Sequence, residues 1–461
     1  MSSGAGRLVH GVKHVLPHVL AASSRGSTVF TECGRTLLDF TCGIGVTNLG
    51  HCHPGVTAAA QAACGQLVHC AQNIMRHRPL VDLIAKLTEL RVSRKSGLDS
   101  WFFWNSGSEA VEAAVKLARM ATGKQNIIAM NLGYHGRTFL AMSLTSSGTI
   151  YRSGFGPLPP GVHVAPFPYV SRGPYAVEAL AGRATASASG QAFSLTHGHC
   201  EPHGCVGSGA AERDAHRCLE AVELMLRTQT SPSETAAILL EPVLGEGGYV
   251  PAPPGFIAGL RKLCDKHGML LIMDEVQTGF GRTGELFASE WVDGGCVPID
   301  ILIMAKGLGN GFPISAIGTR SDLSAHQPPG SMGGTYGGNG VAVAAALAVL
   351  RAFESEGVLE NVAERAVQIR GLLSAFDKAH PGVIRDVRGR GLMIGVELEP
   401  ASSGVGTLAP RVVAECHERN LLVLSCGPWD TIRLIPALNV SAEDAARGTK
   451  LFLEGLLAAR K

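Results

Sequence analysis

Short, wholly apolar runs alternate along the chain with longer stretches of helical periodicity. Ile127-Ile128-Ala129-Met130, Ala237-Ile238-Leu239-Leu240, Leu270-Leu271-Ile272-Met273 and Ile301-Leu302-Ile303-Met304 are continuous rather than alternating. That is the pattern of strands covered on both faces of a parallel sheet. Helical stretches such as Glu109 to Met120 and Gly255 to His267 lie between them. Strands alternating with helices predict an α/β fold with a mostly parallel sheet flanked by helices. Val383 to Leu398 and Leu421 to Val440 read as a smaller α+β unit, set off by a Pro/Gly-dense stretch over residues 325–340. The division expected is an N-terminal segment contributing to the small domain (1–60), a large domain (61–335) and a C-terminal small domain (336–461). Ala181 to Arg213 breaks the rhythm, being rich in Ala, Ser, Gly and His without periodicity, and reads as a mobile surface insertion.

Composition narrows the class. The chain has 461 residues, of which 46% are hydrophobic and 17% charged, so it has ample material for a core and is not disordered by composition. A formal charge of +2 gives no electrostatic reason to expect nucleic acid or an acidic membrane as partner. No run approaches the ~18–20 apolar residues of a membrane helix. The 12 cysteines are spread through a long chain and most read as reduced, buried small residues, which implies a reducing compartment, the cytosol or an organelle matrix. Residues 1–31 contain no acid and include several Ser and Ala, the composition of a mitochondrial or plastid leader; the other reading is that Leu16-Pro17 already opens the folded domain.

Four constellations sit at strand ends or open a helix, the edge where ligands bind in an open α/β sheet. Asn105-Ser106-Gly107-Ser108-Glu109 runs into a helix. It is either an ordinary Ser cap or a phosphate cradle of N–H groups, hydroxyls and the positive end of the dipole. Gly133-Tyr134-His135-Gly136-Arg137-Thr138 is an exposed turn, or an aromatic and an arginine that stack on a flat ligand and grip an anion. Asp274 ends an apolar strand, which is costly without a cationic partner unless it caps the next helix, and Gln277 follows three residues later. Lys306 follows another apolar strand and precedes Gly307-Leu308-Gly309. Either its head snorkels to water, or desolvation lowers its pKa and makes it a nucleophile. Taken together, a phosphate cradle, a stacking aromatic, a buried acid and a reactive lysine are what pyridoxal 5'-phosphate requires.

The runs NSGSEAVEAAVKLAR, GYHGRT, EPVLGEGGY, LLIMDEVQTGFGRTG, PIDILIMAKGLGNGFPISA and GGTYGGN resemble the class III aminotransferases, pyridoxal-phosphate enzymes of fold type I. The resemblance spans about Leu37 to Leu453, apart from the insertion. It implies that Lys306 is the Schiff-base lysine and proton carrier, that Asp274 holds the pyridinium, and that Gln277 lies near the ring's phenolic oxygen. Ser106, Gly107 and Ser108 would bind phosphate, Tyr134 would stack on the ring, and His135 would lie beside it. Thr335 would reach the phosphate of a neighbouring subunit, which implies a homodimer with shared sites.

Within the family, the chain looks closest to the 4-aminobutyrate branch. That likeness implies Arg137 for the donor's distal carboxylate, an Arg433–Glu241 pair that opens for glutamate, and Ile44 in the apolar wall. The reaction it implies moves the amino group of 4-aminobutyrate, as small-molecule donor, to 2-oxoglutarate as 2-oxo acid acceptor. Ornithine, acetylornithine, β-alanine, taurine and alanine–glyoxylate types stay open, since both arginines have counterparts in the ornithine and acetylornithine branches. Relatives with the same lysine and aspartate catalyse decarboxylation or amine migration. A non-catalytic binder would lack the lysine or the aspartate, and a nicotinamide dehydrogenase would need a third glycine that Gly307-Leu308-Gly309 lacks. Outside the family pattern, His197, His199, Cys200, His203 and Cys205 could ligate zinc or copper, but match no standard finger; the competing reading is a disordered loop, and no metal is expected.

Overall fold

In a computed structural model of the chain, residues 8–169, 172, 208–295, 297–400 and 406–461 are described. The four apolar runs become the strands Asn126–Met130, Thr235–Leu240, Leu270–Asp274 and Ile301–Met304. They lie in a seven-stranded sheet with Ser100–Trp104, Ser315–Thr319 and Val162–Ala165. Strands 126–130, 235–240, 270–274 and 301–304 pair in parallel, and 162–165 adds a further parallel edge. Only Ser315–Thr319 runs the other way, between 301–304 and 100–104.

Continuous apolarity has the expected cause. Ile128, Met130, Ile238, Leu240, Leu271, Met273, Leu302 and Met304 face one core. Ile127, Ala129, Ala237, Leu239, Ile272, Ile301 and Ile303, their immediate neighbours in the chain, face a second. Because side chains alternate across a strand, only a strand covered on both faces needs an apolar residue at every position. The helix Gly107–Thr122 covers the second face with Ala110, Val111, Ala114, Val115, Leu117 and Ala118.

A second sheet, Ile384–Arg390, Met393–Leu398, Thr431–Leu434 and Leu424–Cys426, is antiparallel throughout. The N-terminal strands Ala21–Arg25, Thr28–Thr31 and Thr36–Asp39 form a third sheet, completed by Leu421–Leu422 from the far end of the chain. Helix Pro54–Cys64 packs on helix Gly340–Ser355.

The insertion expected up to Arg213 ends sooner. A helix runs over Ser208–Thr228, so its first turns replace the last residues of that expected loop. The His/Cys group from His197 to Cys205 lies outside the described residues. Among the described residues no cluster of His, Cys, Asp or Glu is arranged to hold a metal, and no helix is long and apolar enough to cross a membrane. Cys33, Cys42, Cys52, Cys64, Cys70, Cys218, Cys264, Cys416 and Cys426 are free thiols.

Candidate active site

Strands 100–104, 126–130, 235–240, 270–274 and 301–304 point the same way, and the segments that leave their ends enclose one cavity of about 300 Å³. Ser106, Gly107, Ser108, Tyr134, His135, Glu241, Asp274, Gln277 and Lys306 all line it. Residues scattered over two hundred positions therefore meet because parallel strands deliver their C-terminal ends to one edge.

At the first strand end, both readings of the Ser-Gly-Ser turn hold at once. Ser106 caps the helix through Glu109 N–H at 3.3 Å, and Glu109 Oε2 accepts from Ser106 N–H at 2.8 Å. This capping box leaves the start of the helix, with Gly107 and Ser108, on the cavity wall. Ser108 Oγ also accepts from Arg137 N–H at 3.1 Å, joining this turn to the next. Gly136 must lack a side chain there: its φ is +128°, and a Cβ would fall 2.3 Å from Ser108 Oγ.

At the floor, Asp274 Oδ2 lies 2.8 Å from His135 Nδ1, both residues being buried. Asp274 Oδ1 accepts from Val276 N–H at 3.1 Å, so the carboxylate does two local tasks and opens a turn rather than capping a helix. Burial opposes charge on His135, yet the Asp274 bond and charge, helped by Glu241, raise its pKa above the ordinary value. Glu241 is pushed up to about 7, chiefly by burial, with Asp274 adding to the rise and His135 opposing it. Gln277 Oε1 is buried with no hydrogen-bond partner among the described residues, and His135 Nε2 likewise.

Lys306 begins a single 3-10 turn directly after its strand. Its φ is +45°, a left-handed conformation that costs a side-chain-bearing residue on the order of 1–3 kcal/mol and clusters at functional sites. Burial lowers its pKa, and Arg433 lowers it further, while Glu246, Glu241 and Asp274 oppose both. An amine that sheds its proton more easily is a better nucleophile near neutral pH.

The arginine pairing differs from expectation. Arg433, on strand Thr431–Leu434, forms its ion pair with Glu246, not with Glu241. Glu241 is committed elsewhere: its Oε1 accepts from Tyr134 N–H and its Oε2 from Gly245 N–H, each at 2.9 Å. It holds the backbone of two loops, while Glu246, flanked by Gly245, Gly247 and Gly248, projects to the cavity and the arginine. Burial opposes charge on Arg433, but Glu246 and its neighbours hold the guanidinium firmly protonated.

Ile44, expected in the wall, is 42% exposed, and Val46 lines the cavity instead. Thr335 is exposed on the single chain and away from the cavity. Arg137 is exposed and does not itself line the cavity; it follows the lining residue Gly136, and its Nε donates to Tyr134 Oη at 3.1 Å. Sequence reasoning assigned no role to Glu246 or the Phe312-Pro313-Ile314 segment, and Asn105, named only as part of the Ser-Gly-Ser turn, also lines the cavity. For Glu246 a pointer was present: a carboxylate alone among glycines marks a turn that presents it.

This donor set fits a phosphorylated pyridine aldehyde. A helix start lies on one wall for the phosphate, a buried carboxylate at the floor for the ring nitrogen, an unpartnered amide oxygen on Gln277 beside them, and a desolvated amine on Lys306 for the aldehyde carbon.

Comparison with known proteins agrees. The family profile "Aminotransferase class-III" matches residues 9–456. The 5-aminovalerate aminotransferase of Pseudomonas aeruginosa is 36% identical, covering 96% of this chain and 94% of its own. The 4-aminobutyrate aminotransferase of Escherichia coli is 34% identical over 96% of this chain and 94% of its own. The acetylornithine aminotransferase of Listeria monocytogenes is 38% identical over 93% of this chain and 94% of its own. Among solved structures, the ornithine aminotransferase of Toxoplasma gondii, with PLP at partial occupancy, superposes with TM-score 0.77 at 27% identity, covering 96% of this chain and 90% of that one. A thermostable omega transaminase from Pseudomonas jessenii reaches 0.81 at 25% identity, covering 96% and 93%. With fold, cavity and sequence in agreement, the chain belongs to the class III aminotransferases, enzymes that depend on pyridoxal phosphate.

Proposed function

We propose that this enzyme transfers the amino group of a straight-chain ω-amino acid, 4-aminobutyrate or its one-methylene-longer homologue 5-aminovalerate, to 2-oxoglutarate. The observation that carries this reading is the buried Arg433 paired with Glu246, which lines the cavity, and Arg137 bonded to the lining residue Tyr134. A donor with one carboxylate at its far end needs one cation, and Arg137 supplies it. With Arg433 neutralised by Glu246, a second cation does not face the donor's uncharged amine-bearing carbon. Glutamate formed in the second half-reaction carries one more carboxylate, and Arg433 binds it when Glu246 turns away. One site thereby accepts two substrates that differ by one charge. The relatives that act on 5-aminovalerate and 4-aminobutyrate support the same class of donor.

In this reading Ser106, Gly107 and Ser108 hold the phosphate, Tyr134 lies against the ring and Gln277 bonds its phenolic oxygen. Asp274, fixed by its 2.8 Å contact with His135 Nδ1, would hold the proton on the ring nitrogen. Bound pyridoxal phosphate supplies an electron sink for the carbanion formed at the substrate carbon. Lys306 Nζ would accept the proton from that carbon and return it to the cofactor or the substrate. Thr335, exposed on the single chain, serves the phosphate of a second copy.

The test is the visible absorbance of the holoenzyme on adding donor with no oxo acid present. Bleaching by 4-aminobutyrate or 5-aminovalerate supports the proposal, and the better of the two names the donor. Bleaching by ornithine or acetylornithine alone overturns it.

A further inference from the structure

Tyr151 belongs to no motif discussed above, yet it packs against the rim of the site. It ends the short 3-10 turn Thr149–Tyr151, where Ile150 points outward and Tyr151 turns in, half-buried. The Arg137 guanidinium carbon lies 4.7 Å from the centre of the Tyr151 ring, a cation–π distance. The Tyr151 ring meets Tyr134 edge-on, with centroids 5.1 Å apart and planes at 76°. Tyr134 Oη in turn accepts from Arg137 Nε at 3.1 Å, and the Arg137 backbone is tied to Ser108. Arg137 is thus held at its backbone, at Nε and across one face. Among the described residues no carboxylate pairs with it, so its terminal nitrogens are uncommitted. The Tyr151 hydroxyl also feels Glu246, Arg137 and Arg433, which places it between the two arginines' fields; burial first, then Glu246 and Tyr134, push it up to about 12, so it stays neutral.

We propose that Tyr151 is a positioning residue for donor specificity: with Tyr134 it clamps the Arg137 guanidinium in the orientation that receives the donor's distal carboxylate. An unclamped arginine on this exposed turn would spread over many rotamers and would have to be ordered at each binding event. The inference rests on the proposed role of Arg137, and the experiment separates the two.

Steady-state kinetics of the holoenzyme with the donor that bleaches its absorbance are compared for wild type, Arg137→Met, Tyr151→Leu, Tyr151→Phe and the Arg137→Met/Tyr151→Leu double variant. Loss of a cation–π contact corresponds to about 3- to 30-fold, so Tyr151→Leu should raise KM by that factor with kcat within about twofold. Tyr151→Phe, which keeps the ring, should restore KM. The double variant should be no worse than Arg137→Met alone, and the cofactor's absorbance should match wild type throughout. An unchanged KM in Tyr151→Leu while Arg137→Met raises it overturns the clamp and leaves the role of Arg137 standing. So does a double variant whose losses add in full, or a Tyr151→Leu enzyme that loses cofactor absorbance, which marks a merely structural residue. An unchanged KM in Arg137→Met overturns the reading of Arg137 and the clamp with it.

Discussion

Glu241 and Glu246 stand five positions apart in one glycine-rich segment and perform different tasks. Glu241 is held by two backbone N–H groups, whereas Glu246 meets a buried guanidinium. Removing Glu246 leaves Arg433 buried and unpaired, which costs about 3–5 kcal/mol unless substrate compensates. In the proposed reading glutamate compensates with its own carboxylate, and an ω-amino acid does not. Glu246→Ala should therefore slow the ω-amino acid half-reaction at least about tenfold, while the glutamate half-reaction changes by less than about threefold. Single-turnover absorbance changes with each donor measure both, and equal losses would refute the pairing's role. That Lys306 lines the cavity was legible from its company, a lysine after an apolar strand among three other strand-end constellations. The partner of Arg433 was not, because two glutamates share one motif, and only the fold decides which of them a distant strand meets.

Helices and turns explain how the same residues are held still. Helix Gly107–Thr122 was legible from its cap and its apolar stripe, and the two turns beside it from their glycines. The first turns of helix Ser208–Thr228 were not, because Gly209, Ala210 and Ala211 continue the small-residue composition of the stretch before them. The close approach of the turn at Gly136 to the helix start carries a prediction. A methyl group there would displace Ser108 from the cavity wall, so Gly136→Ala should weaken cofactor retention about tenfold or more, read by dialysis and cofactor fluorescence. Retention equal to wild type would mean that Ser108 does not hold the phosphate. The turn after strand Leu270–Asp274 carries another. Glu275 is wholly buried and accepts from Ala288 N–H, Ser289 N–H, Ser289 Oγ and Thr278 Oγ. Burial pushes its carboxyl up to about 7 despite those donors. A raised acid binds more protons folded than unfolded between its unfolded pKa, about 4.5, and about 7, so its contribution favours the folded state at low pH and is lost as pH rises through that window. The loss is on the order of 3 kcal/mol. Urea midpoints at pH 5 and 7.5 should differ in wild type by more than in Glu275→Gln, whose side chain does not titrate; equal pH dependence would show that Glu275 does not carry the effect.

At the scale of the whole molecule, the site depends on segments far apart in the chain staying in register, and Arg282 is where they meet. It is fully buried, and its described hydrogen-bond partners are neutral. Its Nη1 donates to the carbonyls of Leu392, at 3.2 Å, and Pro436, at 2.6 Å; its Nη2 donates to Asn48 Oδ1 at 2.8 Å. Asn48 also donates to the Phe280 carbonyl at 2.7 Å, closing a ring between the N-terminal segment, the loop after the Asp274 strand and the small sheet. Pro436 lies three residues beyond Arg433, so this guanidinium sets where that strand ends. The sequence made the large sheet and the C-terminal unit legible as local patterns, but not the N-terminal sheet, which takes Leu421–Leu422 from the far end of the chain. It could not show this joint, whose partners are backbone carbonyls that any residue provides. A hydrogen bond from a charged group contributes about 1.5–3 kcal/mol, and its loss strands buried acceptors. Arg282→Met, which keeps most of the volume, should therefore lower unfolding stability by about 3–5 kcal/mol in urea titration. Because the Arg433 strand loses its anchor, KM for the proposed acceptor, 2-oxoglutarate, should rise several-fold even under conditions where the variant is fully folded. A stability loss below about 1 kcal/mol would put Arg282 in the range of an ordinary surface substitution and remove it as the joint. A large loss with KM unchanged would keep the joint but show that Arg433 takes its position from its own sheet, through its pairing with strand Met393–Leu398.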